Sequence, residues 1–128
     1  RLSMKERQYG KIINVASIHA FVSRLGYNTN AYCAAKGGLL MLTKSLAQEW
    51  AKYNITVNGI APGYFATDMT TALVNDEAFS AWLFQRTPAA RWGNPEELIG
   101  AAVYLAAPAS DFVNGHLLFV DGGMLAAV

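Results

Sequence analysis

A single cysteine, Cys33, stands among the 128 residues, so no internal disulfide can form and the chain is compatible with a reducing compartment. Charge of one sign is equally scarce. Ten Lys and Arg against nine Asp and Glu leave a formal net charge of +1, without the basic stripe that neutralises phosphates along a nucleic acid. Nucleic acid is therefore not expected as a partner. Long hydrophobic runs are also missing: the longest, around Leu98 to Ala107, is about half of what a bilayer requires. The first ten residues, RLSMKERQYG, lack the apolar core of a signal peptide. A soluble, cytoplasmic protein with no membrane partner is expected. No glycine-rich phosphate loop joins a strand to a helix either. Gly122 and Gly123 follow the last apolar run with no helix behind them, and read as a turn.

What is present is apolar. With 53% of residues hydrophobic and 15% charged, the composition is that of one globular domain or part of one. Residues 1–8 read as the last turns of a helix ended by Tyr9 and Gly10. Lys11 to Ala16 is a short β-branched run, bounded by Gly10 and Ser17, that reads as a buried strand. Residues 18–29 read as a loop. Asn30 is a candidate N-cap, and Leu39, Leu42, Leu46 and Trp50 repeat at helical period behind it, predicting a long helix that ends near Tyr53 and Asn54. Ile55 to Ala61 is a second strand stopped by Pro62 and Gly63. One or two short, exposed amphipathic helices are expected between Thr67 and Gln85. Pro95 opens a further helix, with Glu96 and Glu97 at its positive end. His116 to Val120 is a third strand closed by Asp121. Strands alternating with helices at this spacing predict an α/β fold with a doubly wound parallel sheet. The first of only three strands would have an open edge.

Tyr32 and Lys36 are four apart at the start of the long helix and so share one face. A cation close to a phenol favours loss of the phenolic proton, which suits the pair to general acid or base work. Ser17 stands at the end of a predicted parallel strand, where ligands meet open α/β sheets, and its hydroxyl can hydrogen-bond a carbonyl. Together these groups can polarise a carbonyl and supply its proton. Amino acids offer no hydride, so a reduction needs a cofactor such as a nicotinamide. Without their neighbours, Tyr32 and Lys36 would read as a half-exposed helical pair with no chemistry.

The strings Ile13-Asn14-Val15-Ala16-Ser17, Tyr32-Cys33-Ala34-Ala35-Lys36 and Asn58-Gly59-Ile60-Ala61-Pro62-Gly63 occur in an order that resembles the short-chain dehydrogenase/reductase family along the whole chain. The resemblance implies a Rossmann-type fold of which residues 1–128 are the carboxyl-terminal half. It places the dinucleotide-binding half, and the asparagine that the family draws from its preceding helix, outside this sequence. By the same resemblance Ser17 would hold the substrate oxygen, Tyr32 would exchange its proton, and Lys36 would bind the nicotinamide ribose and ease departure of the Tyr32 proton. Pro62, Gly63, the Phe65 backbone and the Thr67 side chain would line the nicotinamide of NADP or NAD. The short helices after Thr67 would form a substrate lid. Fifteen residues separate Ser17 from Tyr32, about two more than is usual, which makes Ser23 a rival for the serine role. Ser17 is preferred because it keeps the N-x-x-S placement at the strand end.

The strings from Ala61 to Phe65, Arg86 to Gly93 and Phe112 to His116 further resemble the gluconate 5-dehydrogenases, also called 5-keto-gluconate reductases. That likeness implies a small sugar-acid substrate, with another sugar acid, a polyol or a 3-oxoacyl thioester as the alternatives. His19 is a candidate substrate contact and equally a solvated loop residue. Cys33 reads as a small packed helix residue, His116 as structural, and Trp50, Trp82 and Trp92 as core or interface. Asn58 and Asp121 are expected to tie down loops. No metal site is expected. The resemblance also implies a homo-oligomer built through the long helix and the last helix and strand. The competing reading is a folded, oligomeric segment that cannot hold a dinucleotide and is not an enzyme.

Overall fold

A computed structural model describes residues 3–26 and 28–127. Arg1 and Leu2, at the start of the expected helical tail, lie outside them. The rest of that tail is a single helical turn, α1 (Met4–Arg7), closed by a capping box between Ser3 and Glu6. Three strands follow, β1 (Gly10–Val15), β2 (Ile55–Pro62) and β3 (Leu117–Val120), paired parallel in the order β1-β2-β3. This is the expected parallel α/β sheet.

Two long connections cover it. Between β1 and β2 runs α2 (Asn30–Trp50), extended by a 3₁₀ turn (Ala51–Tyr53) and ended by Asn54 in the left-handed region at φ 55°. Between β2 and β3 come α3 (Thr71–Val74), α4 (Glu77–Arg86) and α5 (Ile99–Ala106). Successive strand residues face opposite ways, and β1 shows both faces in use. Ile12 packs into the cluster of Ala47, Ile55 and Val57 beneath α2, and Asn14 donates to Thr43 on that helix at 2.9 Å. Lys11 points the other way, reaching Ser110 at 3.1 Å and Asp111 at 2.7 Å just past α5. Helices thus cover both faces, and all of β2 except Pro62 is buried.

Several local expectations shift. The cap of α2 falls at Thr29, not Asn30, and Thr29 makes no side-chain cap because its hydroxyl meets Ser23 (3.3 Å) and Cys33 (3.6 Å). The buried stripe of α2 runs through Leu39, Thr43, Ala47 and Trp50, which leaves Leu42 exposed, one residue and about 100° off the stripe. The region after Thr67 is not merely an exposed appendage, since α4 buries Phe79 and Leu83 against Ile18 and Met124. Residues 18–29 are not loop throughout: Ile18–Ala20 forms a 3₁₀ turn.

The turn into α5 carries a pH-dependent contact. Asn94 caps it, Pro95 opens it, and the Glu97 carboxylate accepts two hydrogen bonds from Arg91 (2.6 and 2.8 Å) and one from the Asn94 N–H (2.8 Å). The Arg91 hydrogen bonds, then that of Asn94, lower the Glu97 carboxyl from 4.5 to about 2. A carboxyl lowered on folding contributes stability that is present above its unfolded value and lost as pH falls through its folded one. Glu97→Gln is therefore expected to narrow its stability gap from the parent as pH falls from 5.5 to 2.5. Urea midpoints at the two values check this, and a gap that stays constant would contradict it.

Candidate active site at the carboxyl ends of the strands

Ser17 follows the last residues of β1 and is buried. Its extended backbone starts the 3₁₀ turn Ile18–Ala20, and its Oγ accepts from the His19 N–H at 3.1 Å. That bond fixes the hydroxyl in place and leaves its proton to donate outward. Ser23 lies in the exposed loop, with its hydroxyl against Thr29 at 3.3 Å. Position therefore separates the two serines.

Tyr32 and Lys36 project from the first turns of α2 beside Ser17. The Lys36 Nζ donates to the Val15 carbonyl at 2.9 Å and lies 5.6 Å from the Tyr32 ring centroid. One of its three protons thus pins the ammonium to the end of β1, near the Tyr32 ring. The Tyr32 side of the pair is about half exposed, at 48%. His19 stands edge-on to Tyr32 at 5.9 Å and to Tyr64 at 6.1 Å. Its Nδ1 lies 3.0 Å from the Val22 carbonyl, which can only accept, so in the neutral ring Nε2 is left to accept from the Tyr64 hydroxyl at 3.3 Å.

Two clefts meet at Ser17 and Tyr32. The larger, of about 490 Å³, also contains Lys36, Pro62, Gly63, Phe65 and Thr67. The smaller, of about 250 Å³, contains His19, Arg24, Tyr64 and Phe79. All eight residues singled out in the sequence thus border one cleft or both. Their individual surroundings refine the expectation. The Phe65 carbonyl accepts from the Thr70 hydroxyl at 2.6 Å, and Thr67 exchanges hydrogen bonds with the same Thr70, at 2.9 Å from its N–H and 3.2 Å between hydroxyls. Gly63 has a packing reason to be glycine, because a Cβ there would lie 2.8 Å from Asp121 Cα.

The larger cleft fits the nicotinamide end of a dinucleotide. Lys36 offers a pinned ammonium of the kind that can donate to ribose hydroxyls, and the Pro62–Thr67 segment supplies an apolar wall followed by polar groups. No cluster of potential metal ligands occurs among the described residues, and no helix there is long and apolar enough to cross a membrane. Cys33 is partly buried, with its thiol near the Val22 carbonyl at 3.8 Å, and lines neither cleft.

Two site residues escaped the sequence reading. Tyr64 lay inside the Pro62–Thr67 string but had no signal of its own until its hydroxyl met His19. Arg24 belongs to no motif in its loop, and its neighbours Phe79 and Trp82 are more than fifty residues away in sequence.

Comparison with known proteins bears on this arrangement. The family model described as enoyl-(acyl carrier protein) reductase matches residues 1–125. The 5-keto-D-gluconate 5-reductase of Escherichia coli K12 is 64% identical over 126 residues, covering 98% of this chain and 48% of the relative. A 2-dehydro-3-deoxy-D-gluconate 5-dehydrogenase of Formosa agariphila is 56% identical over 128 residues, covering 98% and 47%. A gluconate 5-dehydrogenase of Burkholderia cenocepacia, crystallised with NADP and tartrate, superposes with a TM-score of 0.93 at 54% identity, covering 98% of this chain and 48% of that one. The chain spans about half the length of the curated relatives it matches.

Proposed function

The chain belongs to the short-chain dehydrogenase/reductase family, and from that premise we propose that it forms the carbonyl-binding, carboxyl-terminal half of an NADP(H)-dependent oxidoreductase acting on a sugar acid, gluconate and 5-keto-gluconate being the preferred pair. The observation that carries this reading is the placing of Ser17 and Tyr32 where the two clefts meet, with Lys36 on the larger of them. A nicotinamide bound in the larger cleft supplies the hydride. Ser17, held by the His19 N–H, donates a hydrogen bond to the carbonyl oxygen. As that oxygen gains charge, Tyr32 gives it a proton, so that the carbonyl becomes a hydroxyl; the reverse direction takes the same proton back. Lys36 holds ribose hydroxyls and stabilises the negative charge left on Tyr32. Pro62, Gly63, Phe65 and Thr67 wall the nicotinamide, while His19 borders the substrate.

The names and bound molecules of the relatives support both halves of this reading: a keto sugar acid reductase at 64% identity, and a dehydrogenase seen with NADP and a hydroxy acid. The test is oxidation of NADPH by the chain with 5-keto-D-gluconate, beside other keto sugars, polyols in the reverse direction, and 3-oxoacyl thioesters. A preference for one of the others would keep the oxidoreductase reading and replace the substrate. No turnover with any of them would favour a folded segment that needs residues outside this sequence to act.

The same reading includes self-association. Met41 and Leu42 on α2 and Ile99 and Val103 on α5 are each about half or more exposed, on the elements through which the family resemblance predicts assembly. Light scattering is expected to give at least a dimer, and a monodisperse monomer would contradict it.

A further inference from the structure

Arg24 lies in the loop between the 3₁₀ turn and α2, yet its guanidinium is not loose. Its central carbon stands 3.8 Å from the Trp82 ring centroid and 4.2 Å from that of Phe79. Both rings belong to α4, and Phe79 is buried in the cluster that also holds Ile18, next to Ser17. The negative faces of aromatic rings attract a guanidinium at these distances. A side chain with several rotatable bonds is thereby held at one place on the cleft wall.

That place is specific. Arg24 borders the 250 Å³ cleft together with Ser17, His19 and Tyr32, and it also borders an adjoining cleft of about 300 Å³ that contains Arg86. It does not border the larger cleft of Lys36 and Pro62. Neither of the two clefts at Arg24 is lined by an Asp or Glu among the described residues. The formally charged side chains that line these two clefts among the described residues are the arginines Arg24 and Arg86, and a guanidinium's planar set of N–H donors matches a carboxylate in shape as well as charge.

We propose that Arg24 binds the carboxylate of the substrate, and so selects a keto or hydroxy acid over a neutral sugar of the same length. The inference rests on the reading that Ser17 and Tyr32 receive the carbonyl. A molecule with its oxygen at that pair, extending away from the Lys36 cleft, enters the space that Arg24 borders.

Calorimetric titration of the chain with D-gluconate, gluconamide and sorbitol tests it. Gluconate is expected to bind at least tenfold more tightly than the two uncharged probes. Arg24→Gln is expected to weaken gluconate by about 10- to 100-fold and leave sorbitol unchanged, and Arg24→Lys to restore part of the loss, since it keeps charge without the planar fork. Equal binding of gluconate by Arg24→Gln and parent would overturn the inference, as would a parent that does not distinguish gluconate from gluconamide. That second comparison needs no variant, so it decides even where Arg24→Gln fails to fold. The two readings fail separately. Arg24-dependent gluconate binding without reduction of any ketone would remove the enzymatic reading alone, and turnover with Arg24-independent binding would remove only this one.

Discussion

Tyr32→Phe is expected to lower NADPH-dependent reduction of 5-keto-D-gluconate by about 10²- to 10⁴-fold, the usual worth of a positioned acid or base. The substitution removes one hydroxyl from a half-exposed ring. The ring's edge contact with His19 at 5.9 Å and its place 5.6 Å from the Lys36 ammonium survive. Stability should thus stay within about 0.5 kcal/mol of the parent, as for other surface changes that empty no cavity. A drop in turnover with an unchanged urea midpoint would assign the loss to the missing proton. The Michaelis constant offers a second check: on the proposed reading Ser17 would still meet the carbonyl oxygen, so kcat should carry most of the decrease. Equal turnover by parent and variant would remove Tyr32 from the chemistry. A fall of similar size in both stability and turnover would make it a packing residue.

The architecture was legible because its signals are local. Ile55 to Ala61 carries β-branched residues between Asn54 and Pro62, and it became the central, almost wholly buried strand. Pro95, Glu96 and Glu97 marked the start of a helical segment through the chemistry of its first turn. Details that depend on neighbours in space were less legible. The apolar pattern of α2 includes Leu42, but the helix turns its buried face toward Thr43 and Ala47, where small side chains let it approach β2. Thr43 can be buried because Asn14 and the Leu39 carbonyl satisfy its hydroxyl, and no run of hydrophobic residues announces that. Asn30 has the chemistry of a cap, yet the chain bends one residue earlier, at Thr29.

The site divides in the same way. Ser17, Tyr32 and Lys36 stand at spacings that a strand end and a helix turn convert directly into proximity. The choice of Ser17 over Ser23 rested on its place after the strand, and the structure buries the first and exposes the second. Arg24 and Tyr64 gain their meaning from α4 and from His19, contacts made across 40 to 60 residues of sequence. Periodicity carries no record of such pairs. The missing information is tertiary, and it concerns the smaller cleft, bordered by Arg24 and Tyr64, more than the larger one, bordered by Lys36.

Asn58→Ala should be among the most destabilising single changes in the chain. Asn58 is buried in β2 and bonds twice to the segment that leads into β3: its Nδ2 donates to the Val113 carbonyl at 2.7 Å, and its Oδ1 accepts from the His116 N–H at 3.0 Å. Asn114 completes the seam, accepting from the Val57 N–H at 2.8 Å and donating to the Ala47 carbonyl of α2 at 2.9 Å. Truncating Asn58 strands a backbone donor and a backbone acceptor together; each would cost about 1–3 kcal/mol if fully buried, and because both bonds are only part-buried a loss toward the lower end of the sum, about 2–4 kcal/mol, is expected from urea unfolding. Asn58→Asp separates the two bonds. Its carboxylate can still accept from His116 but meets the Val113 carbonyl with a second acceptor, which favours the protonated acid in the folded state. A carboxyl raised on folding destabilises above its folded value and recovers as pH falls through it. Asn58→Asp should accordingly regain stability relative to Asn58→Ala between pH 7 and pH 5. Two variants that lose stability equally at every pH would show that the seam is held by packing around Asn58 and not by its hydrogen bonds.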